Sequence, residues 1–181
     1  EYALAYAGKA DCYSYLYMYF DGRQANLEMA EQASFQALKL DPDLAEAHAA
    51  RGLALSLNQE YAEAEKEFEL AIRENPRQFE AHYFYARTCF AQGKIKEAAR
   101  LYEAASKIDP LDYQAPSLLG FAYRDLNMPD KAKAVYELSL ANAKKHLEMD
   151  PNISRALYLG ATALFELGEK EKGLEWAEKA L

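Results

Sequence analysis

Catalysis or metal binding needs side chains that converge, and this 181-residue sequence offers few candidates. Its three histidines are His48, His82 and His146, and its two cysteines are Cys12 and Cys89. A metal set on a helix wants a second ligand one turn along, and no histidine or cysteine follows any of these at three or four residues. Nor is there a glycine-rich phosphate loop, a nucleophile elbow, a paired-histidine protease motif or a calcium loop. The expectation is therefore no catalytic residue, no metal and no cofactor. His48 and His82 then read as packed side chains, and His146, beside Lys144 and Lys145, as a helix-end cation.

Charge narrows the partners further. The sequence carries 21 basic and 29 acidic residues, a formal net charge of −8, so it has no field to hold a phosphate backbone or an anionic membrane. The richest apolar stretch, Tyr13 to Phe20, is far shorter than the roughly 20 residues of a membrane span. Neither nucleic acid nor a bilayer is expected as a partner. Two cysteines 77 positions apart suit a reducing cytoplasm better than a disulfide framework. Both ends fall inside patterned sequence, which reads as a piece of something longer.

The elements that must position any site are set by proline. Asp41-Pro42, Asn75-Pro76, Asp109-Pro110 and Asp150-Pro151 recur at separations of 34, 34 and 41 residues, which is the mark of repeats. Proline lacks the N–H of a helix interior and pushes its predecessor out of the helical region, so each pair ends a helix. Between them, alanine and apolar positions recur every three or four residues in two runs, as in Ala45–Leu57 and Tyr61–Arg73, with a polar break at Asn58-Gln59-Glu60. Each unit is a helical hairpin. The spacing divides the chain, one domain over 1–181, into units 3–44, 45–78, 79–112, 113–153 and a partial 154–181. The first and fourth are long variants, the fourth lengthened in its second helix through Lys144-Lys145-His146.

These residues carry a resemblance. His48, Gly52, Leu55, Ala64, Phe68, Ala71 and Pro76, then His82, Ala86, Cys89, Ala98, Tyr102, Ala105 and Pro110, resemble the tetratricopeptide repeat. Pro116, Gly120, Tyr123, Ala132 and Tyr136 continue the pattern, and Leu157, Ala161, Leu164, Gly173 and Ala177 close it. The resemblance implies an all-α fold, a right-handed α-solenoid of stacked antiparallel hairpins, whose first helices line a concave face. Phrases such as Tyr2–Asp11 and Arg155–Ala161 are similar to repeat regions of bacterial signalling proteins.

In that register the concave face gathers Tyr83, Phe84, Arg87 and Phe90 from the third unit, Phe121 and Arg124 from the fourth, and Arg155, Tyr158 and Phe165 from the fifth. Six aromatics and three arginines on one face of an acidic protein suggest a groove for a peptide or helix of a partner, with rings as anchors and arginines on carboxylates. If each ring shows half its surface, the patch reaches about 450–750 Å². The same rings could instead pack between adjacent first helices. A family subset clamps acidic chaperone tails with a Lys/Asn/Asn/Lys/Arg set, and the matching positions here hold Ala7, Asp11, Ala50, Glu80 and Phe84 in one frame and Ala49, Leu53, Phe84, Gln114 and Leu118 in the other. Chaperone tails are therefore not expected.

The second feature is Tyr13, Tyr15, Tyr17, Tyr19 and Phe20, aromatics that alternate in a helical setting and so point around much of the helix. They are expected to pack on a second chain, giving a homodimer, or on a neighbouring domain. The reading is a non-catalytic protein-interaction module or scaffold. Its alternative is a small-ligand sensing domain attached to a signalling output domain.

Overall fold

The computed structural model describes residues 2–181, and among them every regular element is a helix. These are α1 (Ala3–Tyr19), α2 (Gln24–Leu40), α3 (Ala45–Leu57), α4 (Tyr61–Glu74), α5 (Phe79–Ala91), α6 (Ile95–Ile108), α7 (Gln114–Asp125), α8 (Pro129–Met149), α9 (Ser154–Glu166) and α10 (Lys170–Lys179). The chain forms two compact units, Glu1–Gln92 and Gly93–Leu181. In the first, α1 pairs with α2 and α3 with α4, and α5 packs on α3 and α4. In the second, α6 packs on α7, and α7 pairs with α8 and α9 with α10. Each unit is a run of antiparallel helical hairpins of the all-α solenoid class. No helix among the described residues is long and apolar enough to cross a membrane.

Why the prolines end helices is visible bond by bond. The residue before each proline folds its side chain over the turn, its Oδ1 accepting the N–H two residues on: Asp41 from Asp43 (3.2 Å), Asn75 from Arg77 (3.1 Å), Asp109 from Leu111 (3.0 Å) and Asp150 from Asn152 (3.0 Å). Aspartate and asparagine carry their acceptor oxygen at the right reach for this ring, and hold it more strongly than a serine or threonine hydroxyl. The proline carbonyl is then taken by a side chain. His48 Nε2 lies 2.8 Å from the Pro42 oxygen and His82 Nε2 lies 3.0 Å from that of Pro76. In the second unit Pro116 stands where those histidines would, and Asn142 of α8 donates instead to the Pro110 and Asp112 carbonyls, at 2.9 Å each.

Within hairpins the first helix closes with a residue in the left-handed region. It is Gln59 (φ 64°) after α3, Gly93 (φ 74°) after α5, Asn127 (φ 56°) after α7 and Gly168 (φ 87°) after α9. The bonds Glu60 N–H to Leu55 O (2.9 Å) and Gln59 N–H to Ser56 O (3.0 Å) satisfy the last carbonyls of α3, and Met128 to Tyr123 (2.9 Å) and Glu169 to Leu164 (2.8 Å) repeat the pattern.

Alanine lines the core, in clusters such as Ala7, Ala10, Ala33, Ala37, Ala47 and Ala50. An aromatic ring from the second helix of a hairpin presses on a glycine of the first. A Cβ on Gly52 would stand 2.8 Å from Phe68, and one on Gly120 or Gly160 would be nearer still to Tyr136 or Trp176. The last pair departs from the repeat register, which puts the small residue at Ala161 and the large one at Ala177. Ala177 is too small to bridge, and Trp176 and Gly160 meet instead, both shifted one residue toward the N-terminus. Gly173 has its own tenant, since a Cβ there would lie 2.8 Å from the Phe165 ring.

Candidate functional site

The nine residues assigned to one face divide between the two units. In the first unit α3 lays a low floor, with Ala49, Ala50 and Leu53 buried, and α1 and α5 stand on either side of it. Because α1 has 17 residues against 13 in α3 and α5, its last turns reach residues of α5. Tyr15 meets Phe84 with ring centroids 5.9 Å apart, and Tyr19 accepts a 2.8 Å hydrogen bond from Arg87 Nη1. The Arg87 guanidinium also lies 6.0, 5.9 and 5.8 Å from the ring centroids of Tyr19, Tyr83 and Phe84.

This corrects one expectation. Tyr83 and Phe84 do not show half their rings; they are 3% and 6% exposed, Tyr83 stacked on Phe79 and edge-on to Phe84. Phe90 is half-buried. Tyr15 and Tyr19, read as contacts to a second chain or domain, touch α5 of their own chain and remain 36% and 44% exposed. Tyr13 and Tyr17 are half-buried, with Lys9 over the Tyr13 ring, and only Phe20 stands fully out, at 82% exposure.

The opposite end of this contact is acidic. Burial pushes the Asp11 carboxyl up to about 7, and Glu80 of α5 adds to the shift. The Tyr15 phenol is pushed up by burial first and then by Asp11 and Glu80. Beside the Arg87 end is a cavity of about 260 Å³ lined by Met18, Leu53, Ser56, Leu57, Arg87 and Thr88, among others. The direction of its hydroxyl bonds is fixed. Thr88 gives its hydrogen to the Phe84 carbonyl (2.8 Å), so in the 2.7 Å contact between hydroxyls it is Ser56 that donates. Ser56 Oγ is left with acceptor lone pairs at the cavity.

In the second unit the rings are more open. Tyr158 is 55% exposed and Phe165 43%, both on α9, while Phe121 of α7 is half-buried with its ring edge-on to Tyr136 at 6.0 Å. Arg155 lies 5.9 Å from the Tyr158 centroid and its Nε is 3.4 Å from Gln114 Oε1. Arg124 lies 5.0 Å from the Phe121 centroid, donates to Glu166 Oε1 at 2.7 Å and has Asp125 at 3.8 Å. The positive stripe expected across this face is therefore cancelled at Arg124 by two carboxylates. Asp125, Glu166, Ser56 and Glu80 all fall on concave-face positions of the same register, so the sequence carries this signal too.

His48 and His82 are packed, each 7% exposed, while His146 sits in the last turn of α8. His48 Nδ1 lies 2.6 Å from Glu67 Oε2 and its other nitrogen is on Pro42, while His146 Nε2 is 3.3 Å from the Leu111 carbonyl. Among the described residues no three of His, Cys, Asp and Glu group as a metal site would require.

Comparison with known proteins agrees with this geometry. A family model described as tetratricopeptide repeat matches residues 55–112 and 90–149, and a second of the same description matches 23–77. Anaphase-promoting complex subunit 3 of Schizosaccharomyces pombe is 26% identical over 139 residues, which is 77% of this chain and 20% of that protein. The chain thus spans about a fifth of the length of that curated relative. Among solved structures, pilF of Pseudomonas aeruginosa superposes with a TM-score of 0.66 at 22% identity, covering 97% of this chain and 77% of that one. YrrB, described as a TPR protein with an unusual peptide-binding site, gives 0.59 at 24%, covering 98% and 84%. MamA gives 0.60 at 20%, covering 87% and 88%. At these identities the likeness is one of fold.

Proposed function

Since the chain belongs to the tetratricopeptide repeat family, we propose that it is a non-catalytic protein-interaction module, and that α7 and α9 of its second unit hold a segment of a protein partner. The observation that carries this reading is the pair of large rings left open on α9. Tyr158 and Phe165 are 55% and 43% exposed, on the face where Arg155 lies over the Tyr158 ring. A rigid ring beside a guanidinium loses little entropy on contact, which is why such residues dominate binding energy. Arg155 supplies donors for a backbone carbonyl or carboxylate. Arg124, already held by Glu166, positions Phe121 rather than seeking an external acid. YrrB, which shares the fold, is described as having a peptide-binding site, which supports a peptide as the ligand class.

The repeat division 3–44, 45–78, 79–112, 113–153 and 154–181, a cytoplasmic setting and self-association through the outward Phe20 belong to the same proposal. Affinity capture with wild type beside Tyr158→Ser/Arg155→Glu tests it. A partner held by wild type and lost by the variant, both folded by circular dichroism, supports the α9 face. Equal capture by both removes that face from the reading.

A further inference from the structure

We propose that the outward face of α1 is a two-fold contact with a second copy of this chain, the two α1 helices lying antiparallel and crossing at Cys12. The inference rests on the self-association included in the reading above, and names the ridge and the register that carry it.

The first observation is a glycine unlike the rest. Five glycines stand inside helices, and four of them seat an aromatic ring: Phe68 on Gly52, Tyr136 on Gly120, Trp176 on Gly160 and Phe165 on Gly173. Glycine weakens a helix, and at those four positions the close approach of the ring offsets the cost. At Gly8, within α1, a Cβ would meet nothing within 4 Å, so no contact in this chain accounts for it.

The second observation is how size is distributed along the exposed face of α1. Past Leu4, the N-terminal half of that face carries only Ala5, Gly8 and Lys9. The C-terminal half carries Tyr15, Leu16 and Tyr19, followed by the outward Phe20, and Cys12 lies midway. Two such helices set parallel would place bulk against bulk. Turned end for end about Cys12, each copy lays Leu16 over Gly8 of the other and Tyr19 over Ala5, and both contacts occur twice by symmetry. Leu4, Gly8, Cys12, Leu16 and Phe20 form one i, i+4 ridge, and two such ridges run side by side when helices cross at about −50°. Arg87 already holds the Tyr19 hydroxyl at 2.8 Å, so that ring is positioned before contact.

Charge and area agree with a second copy as the occupant. The chain has a net charge of −8, yet the exposed face of α1 has no carboxylate, Asp11 being turned toward Glu80 of α5. Two copies therefore meet there without acid facing acid. The one cation, Lys9, comes over the Tyr15 ring of the second copy. Phe20, Tyr19, Leu16 and Leu4, at 82, 44, 40 and 40% exposure, offer with the small residues between them on the order of 500 Å² per copy, or about 1,000 Å² for the pair, the low end of specific interfaces.

Sedimentation velocity on the full chain, kept reduced and run from low to high micromolar concentration, compares wild type with Gly8→Gln and Phe35→Ser. Gly8→Gln adds a neutral side chain that meets nothing of its own chain, so it should melt no lower than wild type while associating more weakly by about tenfold or more. Phe35→Ser removes an exposed ring from α2 and should leave association unchanged. Mild oxidation should join Cys12 to Cys12 in wild type and give no covalent dimer in Cys12→Ser, since Cys89 is buried. Association that Gly8→Gln leaves intact, that Phe35→Ser abolishes, or that yields no Cys12 cross-link overturns this contact. If Phe20→Ser still weakens association in that case, the broader self-association stands without this register. A wild type that stays monomeric throughout overturns both, and leaves the α9 face to its own capture experiment.

Discussion

His48 reaches back six residues to Pro42, its Nε2 2.8 Å from the proline carbonyl, and His82 repeats the bond to Pro76 at 3.0 Å. The histidine on this repeat position thus supplies the donor that the turn before its own helix lacks. In His48 the second nitrogen also faces an acceptor, Glu67 Oε2 at 2.6 Å, so it is the protonated ring that can donate to both partners.

The bond to Glu67 holds the His48 pKa above its ordinary value, outweighing burial, which lowers it. With the folded value raised, the stabilisation is complete below the ordinary histidine pKa and is lost as pH rises through the folded one. Unfolding free energy should fall by about 1 kcal/mol across that window, allowing for the partial exposure of Glu67. Glu67→Gln should lower the His48 titration midpoint in NMR. An unchanged midpoint would show that Glu67 is not the cause.

Asp11 has the same sign with an acid. Its folded value is raised to about 7 from 3.8, so the folded chain binds the extra proton across that interval. Its contribution is present below 3.8 and lost as pH rises through about 7. Asp11→Asn should stabilise the first unit by about 1–2 kcal/mol at pH 8, after discounting for the exposed part of the group, and leave it unchanged at pH 3. Urea titration at the two pH values measures this. Equal effects at both would place the cause in packing.

Gln59 takes a conformation that costs a side-chain-bearing residue about 1 kcal/mol and glycine little. Gln59→Gly is expected to raise unfolding free energy by roughly that amount, where glycine elsewhere on a helix would lower it. A destabilised variant in chemical denaturation would contradict the backbone argument.

Gly52 and Phe68 form a close pair with no room for a methyl group. Gly52→Ala should cost about 1–3 kcal/mol by overpacking. Adding Phe68→Leu should recover part of the loss, giving a coupling that a double-mutant cycle detects. Strict additivity of the two would mean that the ring moves away freely.

Local chemistry was legible in the sequence, and distant geometry was not. The Asp/Asn-Pro pairs mark the ends of α2, α4, α6 and α8 because the turn is made by the two residues themselves. Gly93 and Gly168 mark helix breaks for the same reason, whereas Gln59 and Asn127 adopt the same conformation without glycine to announce it. The concave-face register names side chains but not their neighbours. Tyr19 and Arg87 are 68 residues apart and Arg124 and Glu166 are 42 apart, and no periodicity says which partner a guanidinium will choose. The burial of Phe84 likewise depends on how far α1 extends, 17 residues where α3 and α5 have 13.

Trp176, the sole tryptophan, rests on Gly160 in the last hairpin. Its fluorescence therefore reports from one address only. Emission excited at the indole band follows the unfolding of the α9–α10 hairpin and is blind to α1 and its neighbours, while tyrosine absorbance, with Tyr6, Tyr13, Tyr15, Tyr17 and Tyr19 all on α1, weights the other end of the chain. Tryptophan emission thus reads the second unit alone, while tyrosine absorbance, with nine of the 14 tyrosines in the first unit and five in the second, weights the first, and a melting experiment recorded in both needs no added dye to tell which unit lets go first.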